Sequence, residues 1–257
     1  MTGSWFASLL PKHRRPDKTL LTADDVKIAY RHDRHAKERV VILAHGFFNN
    51  KDTYLFRKLA EMFGSIADVI SFDFRGHGQS SGLFSWTALE GQDLGCVVAY
   101  AKQQGYCHIG VVGFSLGAAV ALVEASQNRD IHSVISVSAP SDFTKIDCHF
   151  WEPQMWDDLK LNLGMKGRGK GIRPGNPLLP KTAPLAVVAR IAPAPVLFVH
   201  GAQDWLIRPY HSEQLWAQAG EPKQLVIVPQ AGHAEKMFDE HPDEFRDICC
   251  GWLTSTW

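Results

Sequence analysis

Short apolar runs recur along this chain with room for one helix between most neighbours. The runs at 26–30, 39–44, 67–72, 108–112, 133–138, 195–199 and 224–228 are rich in Val and Ile, and each reads as a strand. Helical spacing of apolar positions marks 53–63, 86–103, 116–127, 209–218 and 242–254. Strands apolar on both faces that alternate with helices imply an α/β domain, its mostly parallel sheet covered on both sides. In such sheets ligands bind beyond the carboxyl ends of the strands, so residues just after each run carry the most interest. The alternation stops at 141–190, where GMKGRGKGIRPGNPLLP supplies glycine and proline but no strand. A connection that long is expected to form a small cap or lid inserted after the strand at 133–138.

Composition narrows the choice of partner. The chain has 257 residues, 45% of them hydrophobic, enough for one core, so 1–257 is read as a single domain. Its 27 basic and 27 acidic residues balance, which leaves no overall field for nucleic acid or an anionic membrane. A small molecule is the expected partner. The five cysteines, Cys96, Cys107, Cys148, Cys249 and Cys250, lack the C-x-x-C spacing of a zinc site and read as buried or incidental thiols. No run of 18 apolar residues is present, so no transmembrane helix is expected. At the N-terminus, Lys12, Arg14 and Arg15 follow the apolar Trp5, Phe6, Leu9 and Leu10, the reverse order of a secretory signal. The expectation is a cytoplasmic protein whose terminus docks or frays, with contact to a membrane surface as the alternative.

The chemistry centres on Gly113-Phe114-Ser115-Leu116-Gly117, which follows a buried-type strand and opens an Ala-rich helix. Chance supplies G-x-S-x-G in roughly one chain in ten of this length. Its position between strand and helix is the stronger signal, because a sharp turn there pushes a serine hydroxyl into the crevice. A serine needs a base to take its proton and a carboxylate to orient that base, in the chain order Ser, Asp or Glu, His. VLFVHGAQDWLIRP places Asp204 just past a strand, and LVIVPQAGHAE places His233 past the next. Asp142, in SAPSDF, is the competing acid. His45, His77 and His200 also lie near strand ends, but only His233 follows the expected acid. A tetrahedral intermediate also needs two N–H donors. Leu116 should supply one and Phe47, after the His45-Gly46 turn, the other, although an ordinary glycine turn would read the same way.

HGFFNN at 45–50, DFRGHGQSSG at 73–82, GFSLG at 113–117, HGAQDWLI at 200–207 and GH at 232–233 together resemble the α/β-hydrolase superfamily, particularly its esterase, monoacylglycerol-lipase and cinnamoyl-esterase-like branches. The resemblance runs from about residue 25 to the end. It implies an eight-stranded fold, with the cap after the sixth strand, and a catalytic triad of Ser115, Asp204 and His233. It also implies that Asp73, Arg75, Gly76, His77 and Gly78 form a structural loop near the site. Epoxide- and halogen-removing relatives would have an aspartate where Ser115 stands, whereas cofactor-free haloperoxidases share the triad. The HGGG oxyanion motif of another lipase branch is absent.

For the substrate, Phe48, Phe114, Trp205 and the cap residues Phe150, Trp151 and Trp156 are the expected binding side chains, with Met155 on the same helical face as the cap aromatics. The cap aromatics could equally seal the cap on the core. Lys166, Arg168, Lys170 and Arg173 read as a solvated loop before an anion site. The expected activity is a serine carboxylesterase acting on short, medium or aromatic acyl esters without metal or organic cofactor. Thioester, lysophospholipid or monoacylglycerol, amide and carbon–carbon bond cleavage are the alternatives by the same route, and a non-catalytic binding protein is the alternative of a different class.

Overall fold

The computed structural model describes residues 18–35, 37–146 and 171–257. Trp5, Phe6, Leu9 and Leu10 with their basic neighbours, the cap residues Phe150, Trp151, Met155 and Trp156, and Lys166, Arg168 and Lys170 lie outside the described residues. Eight strands form one sheet: β1 (Lys18–Leu21), β2 (Lys27–Asp33), β3 (Arg39–Ala44), β4 (Asp68–Phe72), β5 (His108–Phe114), β6 (Ser133–Val137), β7 (Val196–Gly201) and β8 (Lys223–Val228). Their order is β1-β2-β4-β3-β5-β6-β7-β8. Only β2 runs against the others, pairing antiparallel with β1 and β4, while every pair from β4 to β8 is parallel. The six described helices are α1 (Tyr54–Phe63), α2 (Glu90–Gln103), α3 (Leu116–Ala125), α4 (Tyr210–Gln218), α5 (Glu235–Glu240) and α6 (Pro242–Thr256).

Alternation along the central strands divides the core in two. Val40, Ile42 and Ala44 of β3 face α2 and α3, which contribute Leu94, Val97, Ala118 and Leu122. Val41 and Leu43 face the opposite way, towards Phe56, Leu59 and Phe63 of α1 and Phe245, Cys249 and Leu253 of α6. Loops at the carboxyl ends of β3, β5, β7 and β8 are thereby held over one edge of a sheet buried on both faces.

Three elements differ from the sequence reading, one of them the six-residue helix α5, which no apolar period marks. The strand β1, too short to show a period, was likewise absent from that reading. The helix expected from residue 86 begins at Glu90, because a local polar ring claims its first turn. Ser85 N and Oγ donate to the two oxygens of Glu90, and Leu89 N donates to Ser85 Oγ. Trp86 and Thr87 consequently take φ of 59° and 77°. Within the stretch read as a cap, the described ends carry only short turns at Phe143–Lys145, Pro184–Ala186 and Val188–Ile191. Its returning strand of chain is tied to the loop after β4, by Arg173 N to Gly76 O, Phe84 N to Arg173 O and Gly175 N to Phe84 O. The Arg173 guanidinium also donates to the Ser80 carbonyl, so this cation is used on backbone.

Candidate active site

Ser115 stands between β5 and α3 with φ 51° and ψ −114°, a left-handed backbone that costs energy for a residue with a side chain. The flanking glycines make that turn passable. A Cβ on Gly113 would lie 2.5 Å from Ala118 Cα, and one on Gly117 would collide with the Ala44 and His45 carbonyls. Ser115 N is secured to Val137 O at 2.8 Å. The result is a half-buried hydroxyl at the carboxyl edge of the sheet.

His233 follows β8 and brings Nε2 to 3.0 Å from Ser115 Oγ. Its Nδ1 is 2.7 Å from Asp204 Oδ2. Asp142, the competing acid, lies 3.9 Å from Lys145 Nζ instead. The next residue, Ala234, takes φ 48° and ψ −119°, nearly the backbone of Ser115. Its N–H donates to Ser138 Oγ at 3.1 Å, so the end of β6 holds the loop that carries His233.

Asp204 is fully buried, and its carboxylate is surrounded by donors. Leu206 N and Ile207 N donate to Oδ1 at 3.1 and 2.9 Å. His233 and His200 approach Oδ2 at 2.7 and 3.2 Å. Burial alone would raise its proton affinity, but the charge of His233 and the hydrogen bonds from His200 and His233 outweigh it and hold the carboxyl well below the usual range.

The loop after β3 is built around His45. Phe74 N–H donates to its Nε2 at 3.0 Å, which puts the ring proton on Nδ1, and Nδ1 donates to Gly46 O at 2.7 Å. Burial holds this ring's pKa well below that of free imidazole. Asn49 N donates to the same carbonyl. In a trans peptide N–H and C=O point in opposite directions, so anchoring Gly46 O turns Phe47 N–H away from the anchors. Gly46 borders the serine directly: a Cβ there would lie 3.5 Å from Ser115 Cβ. Leu116, as the first residue of α3, has an N–H with no partner inside the helix.

Buried polar contacts brace this loop from three sides. His77 Nε2 lies 2.7 Å from Phe47 O, within the loop after β4. Lys51 Nζ pairs with Asp73 at 2.9 Å, both side chains fully buried, and Asp73 also accepts from the amides of Lys51 and Gln79. Burial nevertheless pushes the Asp73 carboxyl upwards. Asn49 Nδ2 donates to Glu235 Oε1 at 2.5 Å, linking the loop to the start of α5. Sequence reading missed Asn49, Lys51, Ser138 and Glu235, since their partners lie far away along the chain and no period marks them.

The expected substrate contacts separate. Phe48 is 42% exposed and packs on Phe47 with ring centroids 4.6 Å apart. Phe47 in turn meets Phe84 and Trp86 at 5.2 and 5.5 Å, forming an aromatic wall beside the serine loop. Trp205 is buried next to Asp204. Phe114 is a correction: it points into the core between Phe56 and Phe245, because a strand residue beside an outward-facing serine faces the opposite side of the pleat. Phe150, Trp151 and Trp156 are outside the described residues. Among the described residues no group of three metal-ligating side chains comes together, and no helix is long and apolar enough to cross a membrane.

Known proteins agree with this architecture. An uncharacterized Bacillus subtilis protein, YqkD, is 30% identical over 219 residues, 78% of this chain and 66% of that protein. Escherichia coli O157:H7 YfhR, also uncharacterized, is 27% identical over 192 residues, 73% of this chain and 61% of its own length. This chain thus spans about three-fifths to two-thirds of these curated relatives. Among solved structures, a Pyrococcus furiosus esterase superposes with a TM-score of 0.74 at 22% identity, covering 93% of this chain and 90% of the esterase. The pattern of the alpha/beta hydrolase family matches residues 41–248, and the chain belongs to that family.

Proposed function

We propose that this chain is a serine carboxylesterase acting on short, medium or aromatic acyl esters through an acyl-enzyme. The observation that carries the reading is the 3.0 Å approach of His233 Nε2 to a hydroxyl raised on a left-handed turn. Ser115 Oγ attacks the ester carbonyl carbon while its proton passes to His233 Nε2. The oxyanion is received by the N–H groups of Phe47 and Leu116. As the tetrahedral centre collapses, His233 returns the proton to the leaving alcohol. Water then adds to the acyl-serine with the same histidine as base, releasing the acid and restoring the hydroxyl. Asp204 orients His233 and stabilises its charged form. The solved esterase of similar fold is in keeping with this chemistry, and the aromatic wall around Phe47 favours an apolar or aromatic group beside the scissile bond.

The test is hydrolysis of p-nitrophenyl esters of increasing acyl length by wild type and Ser115→Ala. We expect kcat to fall on the order of a million-fold in the variant, the loss typical of a triad acting as a unit. Wild type that hydrolyses none of these esters, and whose Ser115 takes no label from a fluorophosphonate, would sink the reading.

A further inference from the structure

We propose that His200 is a positioning residue for Asp204, extending the hydrogen-bonded chain behind Ser115 by two members, His200 and Ser212. The proposal rests on the triad reading above and deepens it. His200 lies on β7, fully buried. Its Nε2 is 2.7 Å from Ile207 O and 3.2 Å from Asp204 Oδ2. A carbonyl and a carboxylate can only accept, so the ring proton sits on Nε2, aimed between the two. The lone pair on Nδ1 then receives the hydroxyl of Ser212, 2.6 Å away on α4 and itself fully buried. One direction of donation runs through the group. Ser212 Oγ–H donates to His200 Nδ1, His200 Nε2–H donates to Ile207 O with Asp204 Oδ2 beside it at 3.2 Å, and His233 Nδ1–H donates to that same carboxylate oxygen.

This arrangement supplies what a buried carboxylate lacks. An ionised group with no solvent contact needs several donors to remain charged and to keep its orientation. Two amides fix Oδ1, but among the described residues Oδ2, the oxygen that addresses His233, has only histidines. His200 is also anchored to the Asp204 loop, because Ile207 gives its N–H to Oδ1 while its carbonyl accepts from His200 Nε2–H. The turn is wrapped around the carboxylate, with His200 as its fixed side. Loss of the imidazole would leave Asp204 free to tilt and would raise its proton affinity. Both changes weaken its support for the charge that His233 gains as it takes the Ser115 proton. The effect therefore belongs in kcat and not in KM.

The experiment compares wild type with His200→Leu, His200→Gln and Ser212→Ala. It reads p-nitrophenyl acetate kinetics together with the low-field proton NMR resonance of His233 Nδ1–H, assigned by its loss in His233→Asn. Glutamine can place an amide N–H where imidazole Nε2 stood. We expect His200→Leu to lower kcat about ten-fold, the worth of one hydrogen bond to a charged group, with KM nearly unchanged, and to shift the resonance. His200→Gln should restore both. A folded His200→Leu with wild-type kcat and an unmoved resonance overturns the proposal. Should that variant not fold, Ser212→Ala decides: a displaced resonance supports the chain and an unmoved one refutes it. If wild type hydrolyses no ester yet the resonance shifts in these variants, the esterase reading falls while the positioning role stands.

Discussion

Two aspartates mark opposite ends of the same sheet, and each is tied to a histidine by a hydrogen-bonded chain. At the carboxyl end the order is Asp204, His233, Ser115. At the amino end Tyr106 donates to Asp68 at 2.5 Å, His32 Nε2 lies 2.8 Å from the Tyr106 hydroxyl, and Tyr100 closes the far side of the ring at 3.2 Å. Asp68 also accepts from His35 N and Lys37 N, much as Asp204 accepts from Leu206 N and Ile207 N. What differs is the last member. The amino-end chain stops at phenols packed against β2 and β4, whereas the carboxyl-end chain stops at a half-buried hydroxyl on a strained turn. A histidine–aspartate chain alone therefore serves as bracing. It becomes a candidate for chemistry when a nucleophile is held open at its end with N–H donors close by.

The strongest way to break this comparison is to neutralise each aspartate. Asp204→Asn leaves the shape but removes the charge that supports His233, and kcat should fall about ten-thousand-fold, the loss known for the same change in a serine triad. Asp142→Asn should keep most turnover. Asp68→Asn should keep turnover as well, while destabilising the fold by about 1–3 kcal/mol through its lost charge-assisted bonds, as read from urea unfolding. A variant ranking with Asp142→Asn as the crippled protein would move the acid to Asp142.

A smaller effect separates the two histidines by pH. Burial drives His32 down from the usual imidazole value to about 4. Its folded pKa thus lies below its unfolded one, so the fold favours the neutral ring. As pH drops below about 6.5 the unfolded chain binds a proton that the folded chain refuses, and stability declines until pH reaches about 4. In His32→Gln the slope of Tm against pH across that window should flatten. Turnover should still lose its acid limb in that variant, because the proposed base, His233, belongs to the other chain. Asp204, held well below the usual carboxylate range, stays ionised throughout. An acid limb that moved with His32→Gln would contradict the separation of the two chains.

The sequence carried the frame of this site better than its bracing. Ser115, Asp204 and His233 were legible because each follows an apolar run whose parallel pairing puts the run's end at one edge, and chain order then limits the choice of acid and base. Asp73 and His77 were visible only as a structural loop. Their contacts to Lys51 and Phe47 join loops after different strands, and no local period records such a join. Phe114 was misread for a related reason. Adjacency to Ser115 in sequence suggested adjacency in the crevice, whereas the pleat sends the two side chains to opposite sides. The start of α2 was misplaced because a polar ring between Ser85 and Glu90 outweighed the apolar spacing that begins at Trp86.

The smallest expected effect concerns the two phenylalanines once assigned together. Phe48 is 42% exposed on the aromatic wall beside the Gly46–Phe47 peptide, and Phe114 is enclosed by Phe56 and Phe245. Truncating Phe48 removes apolar surface that an acyl or aryl group would cover, without touching the donors or the triad. In Phe48→Ala, KM for longer or aromatic p-nitrophenyl esters should therefore rise about five-fold while kcat holds, the scale on which one apolar contact discriminates between substrates. The acetate should respond least, having little to bury. Phe114→Leu should do the reverse, leaving ester preference alone while lowering stability by about 1 kcal/mol through imperfect packing. Equal KM changes for acetate and long esters in Phe48→Ala would mean that Phe48 shapes the loop instead of meeting the substrate, and the aromatic wall would then belong to the bracing around His45 and His77.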